Sequence, residues 1–209
     1  MKNVKLAATL GACALVGAVG IGSTFAYLTA KTNEVKNTFT IGSVHFDKSL
    51  TNALDESKAY RDKDGMYMLD EKTRVAEQTY TDILPGEEIA KDPTIHMGDD
   101  SEMAWVFAEV KYDPSQVDMI NYNKGEWSVI NDDNNGTVIL AHNGQLGKYV
   151  SDKSYNDSVI FETVKFKDME NDTKISPIDI DGFAIQASAY ATPEDAYKAN
   201  VVVFEKAIQ

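Results

Sequence analysis

The stretch Met103-Ala104-Trp105-Val106-Phe107-Ala108-Glu109-Val110-Lys111-Tyr112 decides the fold class. In an extended chain successive side chains point to opposite faces, so Trp105 and Phe107 share one face while Ala104, Val106, Ala108 and Val110 share the other. Both faces are apolar. A strand of that kind belongs in the middle of a sheet covered on two sides, or at the centre of a sandwich.

Working outward, shorter strand candidates follow at Trp127–Ile130, Thr137–Ala141 and Val159–Phe166, divided by Asn/Asp/Gly-rich turns, and Ile178–Tyr190 is a further one. Upstream, Asp82-Ile83-Leu84-Pro85-Gly86-Glu87-Glu88 is a turn by its Pro-Gly pair. Ile89–Met97 reads as a strand that Pro93 demotes towards an edge or a bulge. Residues 47–81 are charged and weakly periodic. Within them Met66-Tyr67-Met68-Leu69 after Asp62-Lys63-Asp64-Gly65 marks a hairpin or an insertion. Phe39 and Ile41 alternate with threonines, and Val44 and Phe46 resume with shifted parity after Gly42-Ser43, as in a bulged strand. At the other end, Thr192-Pro193-Glu194-Asp195 joins an N-cap residue, a first-turn proline and two acids, which starts a helix. The β-branched run Val201-Val202-Val203 leaves its last turns open to a strand. The expected architecture is all-β, an antiparallel jelly-roll-like β-sandwich with a short C-terminal helix.

The chain's first 26 residues read as a secretory signal. Lys2 and Lys5 precede the apolar run Leu6–Ile21, and Gly22, Ser23, Thr24 and Ala26 supply the small and polar residues of a cleavage site. Cleavage between Ala26 and Tyr27 fits best. The rival reading, an uncleaved anchor, is weakened by Gly11, Gly17 and Gly20 and by the absence of a stop-transfer charge cluster. Leu10-Gly11-Ala12-Cys13 resembles a lipoprotein box, yet the residues between Lys5 and Leu10 are fewer than the ~7 to 15 of a signal core. Removing residues 1–26 leaves one expected domain of 183 residues (27–209) without cysteine, and 18 basic side chains against 33 acidic, a net of −15. That charge, with no cluster of Lys or Arg, makes nucleic acid and anionic lipid poor partners. The membrane is expected to matter only during export.

Four stretches together resemble the TasA and camelysin family of secreted Gram-positive proteins, exported with a SipW-type signal peptidase. They are Gly22-Ser23-Thr24-Phe25-Ala26-Tyr27-Leu28, Asn37-Thr38-Phe39-Thr40-Ile41-Gly42-Ser43-Val44, Leu84-Pro85-Gly86-Glu87-Glu88-Ile89-Ala90-Lys91-Asp92, and the strand Trp105–Tyr112. The resemblance implies a jelly-roll subunit that polymerises into extracellular or biofilm-matrix fibres at the cell surface, with the N-terminal segment of one subunit completing the sheet of the next. The donor would be Tyr27–Asn37, with Tyr27, Leu28 and Val35 filling pockets and Phe39 and Ile41 on the first strand after it. The expected partners are other copies of the chain, the signal peptidase and an accessory matrix protein. Residues 121–172 and the helix after Thr192 match no motif of the family.

Camelysin-like relatives are described as metalloproteases, so metal-binding spacing matters. His45, His96 and His142 are far apart, and none stands in His-Glu-x-x-His. Asn131-Asp132-Asp133-Asn134-Asn135-Gly136 begins like a calcium loop, but His142 occupies the place of the bidentate glutamate. There is no Gly-x-Ser-x-Gly elbow and no phosphate-cradling glycine loop. The acids are too dispersed to nominate a catalytic pair. The expectation is therefore a structural, non-enzymatic subunit with no metal or cofactor. A secreted camelysin-like metalloprotease and a monomeric adhesion module using exposed aromatics are the competing readings.

Overall fold

The structure, a computed structural model, describes residues 30–31, 43–50, 52–170 and 173–207, with backbone alone for 30–31 and 201–207. The described residues are mostly β and form three antiparallel sheets. The five-stranded sheet has the order β1 (Ala30–Lys31), β12 (Asp179–Gln186), β6 (Ala104–Lys111), β9 (Thr137–His142) and β8 (Trp127–Asp132). A four-stranded sheet runs β10 (Asp157–Val159), β5 (Thr94–His96), β2 (Leu54–Arg61) and β3 (Tyr67–Val75). The third sheet is β4 (Glu88–Ala90), β11 (Phe161–Phe166) and β7 (Val117–Tyr122).

β6 is the central strand of the largest sheet, and both of its faces are buried, as its sequence predicts. Ala104, Val106, Ala108 and Val110 join a core fed by all three sheets, including Ile89, Ile95, Val117, Trp127, Leu140, Phe161 and Val164. Trp105 and Phe107 face the other way. There they pack with Phe183, Ile185 and Ala196 beneath a helix, α1 (Pro193–Ala207). Thr192 caps that helix: its hydroxyl accepts the Asp195 N–H at 3.1 Å and donates to the Asp195 carboxylate at 2.8 Å. The backbone stays helical through Val201–Val203, so the strand alternative for the last turns is overturned. Propagation of the helix from its capped first turn outweighs the modest cost of β-branched residues. Among the described residues no helix is long and apolar enough to cross a membrane.

Pro93 has a larger effect than a bulge. The expected strand Ile89–Met97 is two strands in two sheets, β4 and β5, and the chain changes sheets at Pro93. Its partner does the same at Ile160, where β10 gives way to β11, and the Ile160 N–H donates to the Pro93 carbonyl at 2.8 Å. Because proline has no N–H to offer a ladder, it suits the point where one sheet's pairing stops and the next begins. The expected hairpin within 47–81 is present as β2 and β3, turning at Asp62–Gly65. Of the expected strand Thr38–Phe46, only residues 43–46 are described, and they contribute one bridge, Phe46 to Met97. β7 was not expected from the sequence. Only Val117 of it is fully buried, and the pattern along it is not two-periodic. The strand expected over Ile178–Tyr190 stops at Gln186, where a 3-10 turn over Ala187–Ala189 leads to the helix.

Candidate assembly edge and polar clusters

β12 is held over its whole length by β6, from Asp179 opposite Lys111 to Gln186 opposite Ala104. Side chains on β12 alternate between the two cores: Ala184 faces the shared core, whereas Phe183 and Ile185 lie under α1. On its other side β12 pairs antiparallel with β1, Ala30 opposite Ala184 and Lys31 opposite Phe183. Ala30 and Lys31 belong to the segment 27–37 that the sequence nominates as a donor, so part of that segment is a strand on the edge of the largest sheet. The cleavage site Ala26–Tyr27 and the nominated residues Tyr27, Leu28, Val35, Phe39 and Ile41 lie outside the described residues.

Two hydrogen bonds fix the end of β12. The Ala187 N–H donates to the Met103 carbonyl at 2.8 Å, and the Trp105 indole N–H donates to the Tyr190 carbonyl at 3.2 Å. They tie the chain after β12 back onto the start of β6.

The three histidines do not converge. His45 Nε2 lies 2.7 Å from Asp100, and that contact holds the Asp100 carboxyl below its ordinary range. His96 stands between two neighbouring strands, with Nδ1 2.7 Å from Asp157 on β10 and Nε2 2.9 Å from Asp55 on β2. His142 is buried against Trp127, and burial pushes its pKa below the usual imidazole value. Among the described residues no three His, Cys, Asp or Glu side chains gather as a metal-ligating set.

A polar cluster gathers around His96 in the four-stranded sheet, and spacing in the sequence gave no sign of it. Arg74 on β3 donates to Asp55 at 2.7 Å and to Asp92 at 3.1 Å. Asp92 in turn accepts both the N–H and the hydroxyl of Ser57 at 2.7 Å. Beside it Lys91 pairs with the buried carboxylate of Glu56 and lies 5.1 Å from the ring centre of Tyr80. Both ring nitrogens of His96 rest against carboxylates, those of Asp157 and Asp55, and the Ser57 hydroxyl donates to a third, Asp92. The cluster acts as a strut joining β10, β5, β2 and β3.

In the two Asp-rich turns an aspartate side chain bonds the turn's own backbone. Asp133 Oδ1 accepts the N–H groups of Asn135 and Thr137, both at 2.8 Å, and these bonds hold its carboxyl below the ordinary value. Asp62 Oδ1 accepts from Asp64 and Met66 at 2.9 Å. Gly136 has φ +97°, and a Cβ there would sit 2.1 Å from the Tyr112 carbonyl oxygen, so only glycine fits the β8–β9 turn.

Set against known proteins, the chain matches no family model, no curated protein and no solved structure.

Proposed function

We propose that the chain is an exported structural subunit that polymerises by N-terminal strand donation, in the manner of the TasA and camelysin family that its sequence resembles. The observation that carries this reading is the pairing of Ala30 and Lys31 with β12. Within one chain that pairing fills the edge in cis; in a fibre the same edge receives residues 27–37 of a neighbour. Strand addition works through main-chain hydrogen bonds, so a segment as polar as this one suffices, with a few side chains filling pockets. A core shared by strands of all three sheets is compatible with a jelly-roll-like sandwich that stays intact while an edge strand is exchanged.

Reach and charge are consistent with exchange. Eleven residues span ~36 Å at ~3.3 Å per residue, against a diameter on the order of 40 Å for a compact domain of this size. Until the signal is removed the donor is tethered at the membrane, which prevents polymerisation inside the cell. Subunits of net −15 repel, so added salt or mild acid promotes growth of the fibre.

Electron microscopy of the secreted chain with and without residues 27–37 tests the reading. The expected result is filaments from the former and a folded monomer from the latter. Normal filaments from the shortened chain, or its failure to fold, would refute exchange of this segment. N-terminal sequencing of the secreted protein should begin at Tyr27.

A further inference from the structure

Asparagine stands directly before glycine at Asn135-Gly136 and at Asn143-Gly144. The pairing has a chemistry of its own. The side-chain amide of asparagine is open to attack by the backbone nitrogen of the next residue, and glycine hinders that attack least because it has no Cβ beside the nitrogen. Both asparagines are exposed, so access to water does not tell them apart. Their hydrogen bonds do.

Asn143 is held at each of its polar groups. Its Oδ1 accepts the Ser128 hydroxyl at 2.6 Å, its Nδ2 donates to the Gly125 carbonyl at 3.2 Å, and its backbone N–H donates to the Glu126 carbonyl at 2.7 Å. His142 Nδ1 lies 3.2 Å from the Gly144 nitrogen and 2.7 Å from the Gly144 carbonyl oxygen, so either contact pins the residue that would have to attack. Asn135 is different. It lies in the turn between β8 and β9, where its side chain and the Gly136 N–H both make no hydrogen bond among the described residues, and only its backbone N–H is engaged, by Asp133 at 2.8 Å. The Tyr112 N–H donates to the Gly136 carbonyl at 2.9 Å, which anchors the glycine beside an asparagine side chain that no bond holds in place.

We propose that Asn135 is a site of spontaneous self-modification, at which the Gly136 nitrogen closes a succinimide on Asn135 Cγ and water opens it to aspartate or isoaspartate, and that the fold protects Asn143 from the same reaction. In the first step the bond from the Gly136 nitrogen to Cγ forms, the N–H proton passes to solvent, and the Cγ–Nδ2 bond breaks with Nδ2 leaving as ammonia. In the second, water adds to a ring carbonyl and the bond from that carbonyl carbon to the ring nitrogen breaks. Opening at Cγ gives aspartate. Opening at the main-chain carbonyl gives isoaspartate, in which the backbone runs through the side chain and gains a carbon. The balance is water consumed and ammonia released, with no oxidant or cofactor.

The product changes the turn in two ways. A carboxylate is added beside Asp132 and Asp133, so negative charge at this turn grows with the age of the molecule. Isoaspartate also lengthens a backbone that has no slack: Asp133 Oδ1 braces the N–H groups of residues 135 and 137, and Gly136 is packed so that a Cβ would meet the Tyr112 carbonyl oxygen. The end of the β8–β9 ladder, where Asp132 is opposite Val138, should open in consequence. The proposal goes beyond the assembly reading and does not depend on it.

The test incubates the intact chain at mildly alkaline pH, once folded and once in urea, and follows both asparagines by peptide mapping, with isoaspartate scored by an isoaspartyl methyltransferase. In the folded chain Asn135 should convert about tenfold or more faster than Asn143, because the bonds around Asn143 must open before it can cyclise. In urea the two should convert at similar rates. Equal rates in the folded chain, faster conversion at Asn143, or an Asn135 that reacts only in urea would each overturn the proposal. Asn135→Asp supplies the charge without the added carbon. Amide exchange across residues 132–138 should stay slow in that variant and quicken in the isoaspartate fraction, and equal exchange in the two would overturn the opening of the ladder.

Discussion

The five-stranded and four-stranded sheets share an apolar core and differ in what else holds them. The first buries β6 on two sides, with Val106, Phe107 and Ala108 fully inaccessible, and its cohesion comes from apolar area. The second projects a hairpin into solvent and is joined at its base by Arg74, Asp55, Asp92, His96 and Asp157. Salt screens ion pairs, whereas it does not weaken area burial. High salt should therefore loosen the hairpin while leaving the β12–β6–β9 ladder closed.

The sharpest way to break this contrast is Phe107→Ala. It empties a fully buried site under α1 and should cost about 4 kcal/mol in denaturant unfolding, with every probe of structure lost together. Arg74→Ala leaves two carboxylates without their shared cation. Because the arginine side chain is 30 % exposed, the loss should be smaller, about 2 kcal/mol. In hydrogen exchange it should appear first in β2 and β3. If Arg74→Ala instead lowers protection equally in β6 and β12, the two sheets form one cooperative unit and the contrast fails.

Two weaker perturbations sharpen it. Thr192→Ala removes the cap of α1 and should cost about 1 kcal/mol, read as a lower thermal midpoint with the hairpin's exchange unchanged. His142 supplies a pH dependence on the apolar side. Its folded pKa lies below the unfolded value of about 6.5, so the unfolded chain binds the proton more readily. Stability is complete above that pH and falls as the pH drops towards the folded value. His142→Gln should flatten this part of the pH profile, and a profile identical to wild type would show that the buried imidazole does not titrate there.

What could be read from the sequence depended on how local each signal was. β6 was legible because a run of alternating, uniformly apolar side chains has few other solutions, and α1 because its start is written in four consecutive residues, Thr192 to Asp195. β7 was not, since Val117 and Ile120 are separated by exposed Asp118 and Met119 and leave no two-residue period. Pro93 signalled an interruption, but that it marks a change of sheet depends on Ile160, far away in the chain. The strut was invisible for the same reason: Asp55, Arg74, Asp92, His96 and Asp157 meet only through strand pairing. Of the proposed assembly segment, the sequence nominated residues 27–37 as donor, while β12, the strand that Ala30 and Lys31 pair with, emerged from the fold.

The pairing of β12 with β6 along its full length also determines how the molecule would carry load. A pull delivered through β1 acts along the strand axis, so the β12–β6 ladder is strained in shear. Its bonds from Asp179 to Gln186 share the force and must yield together, whereas a ladder peeled from one end gives way a bond at a time. The Trp105 bond to Tyr190 and the Ala187 bond to Met103 reinforce one end of that ladder. A filament built on this edge would be stiff in tension, and its weakest links would be the junctions between subunits.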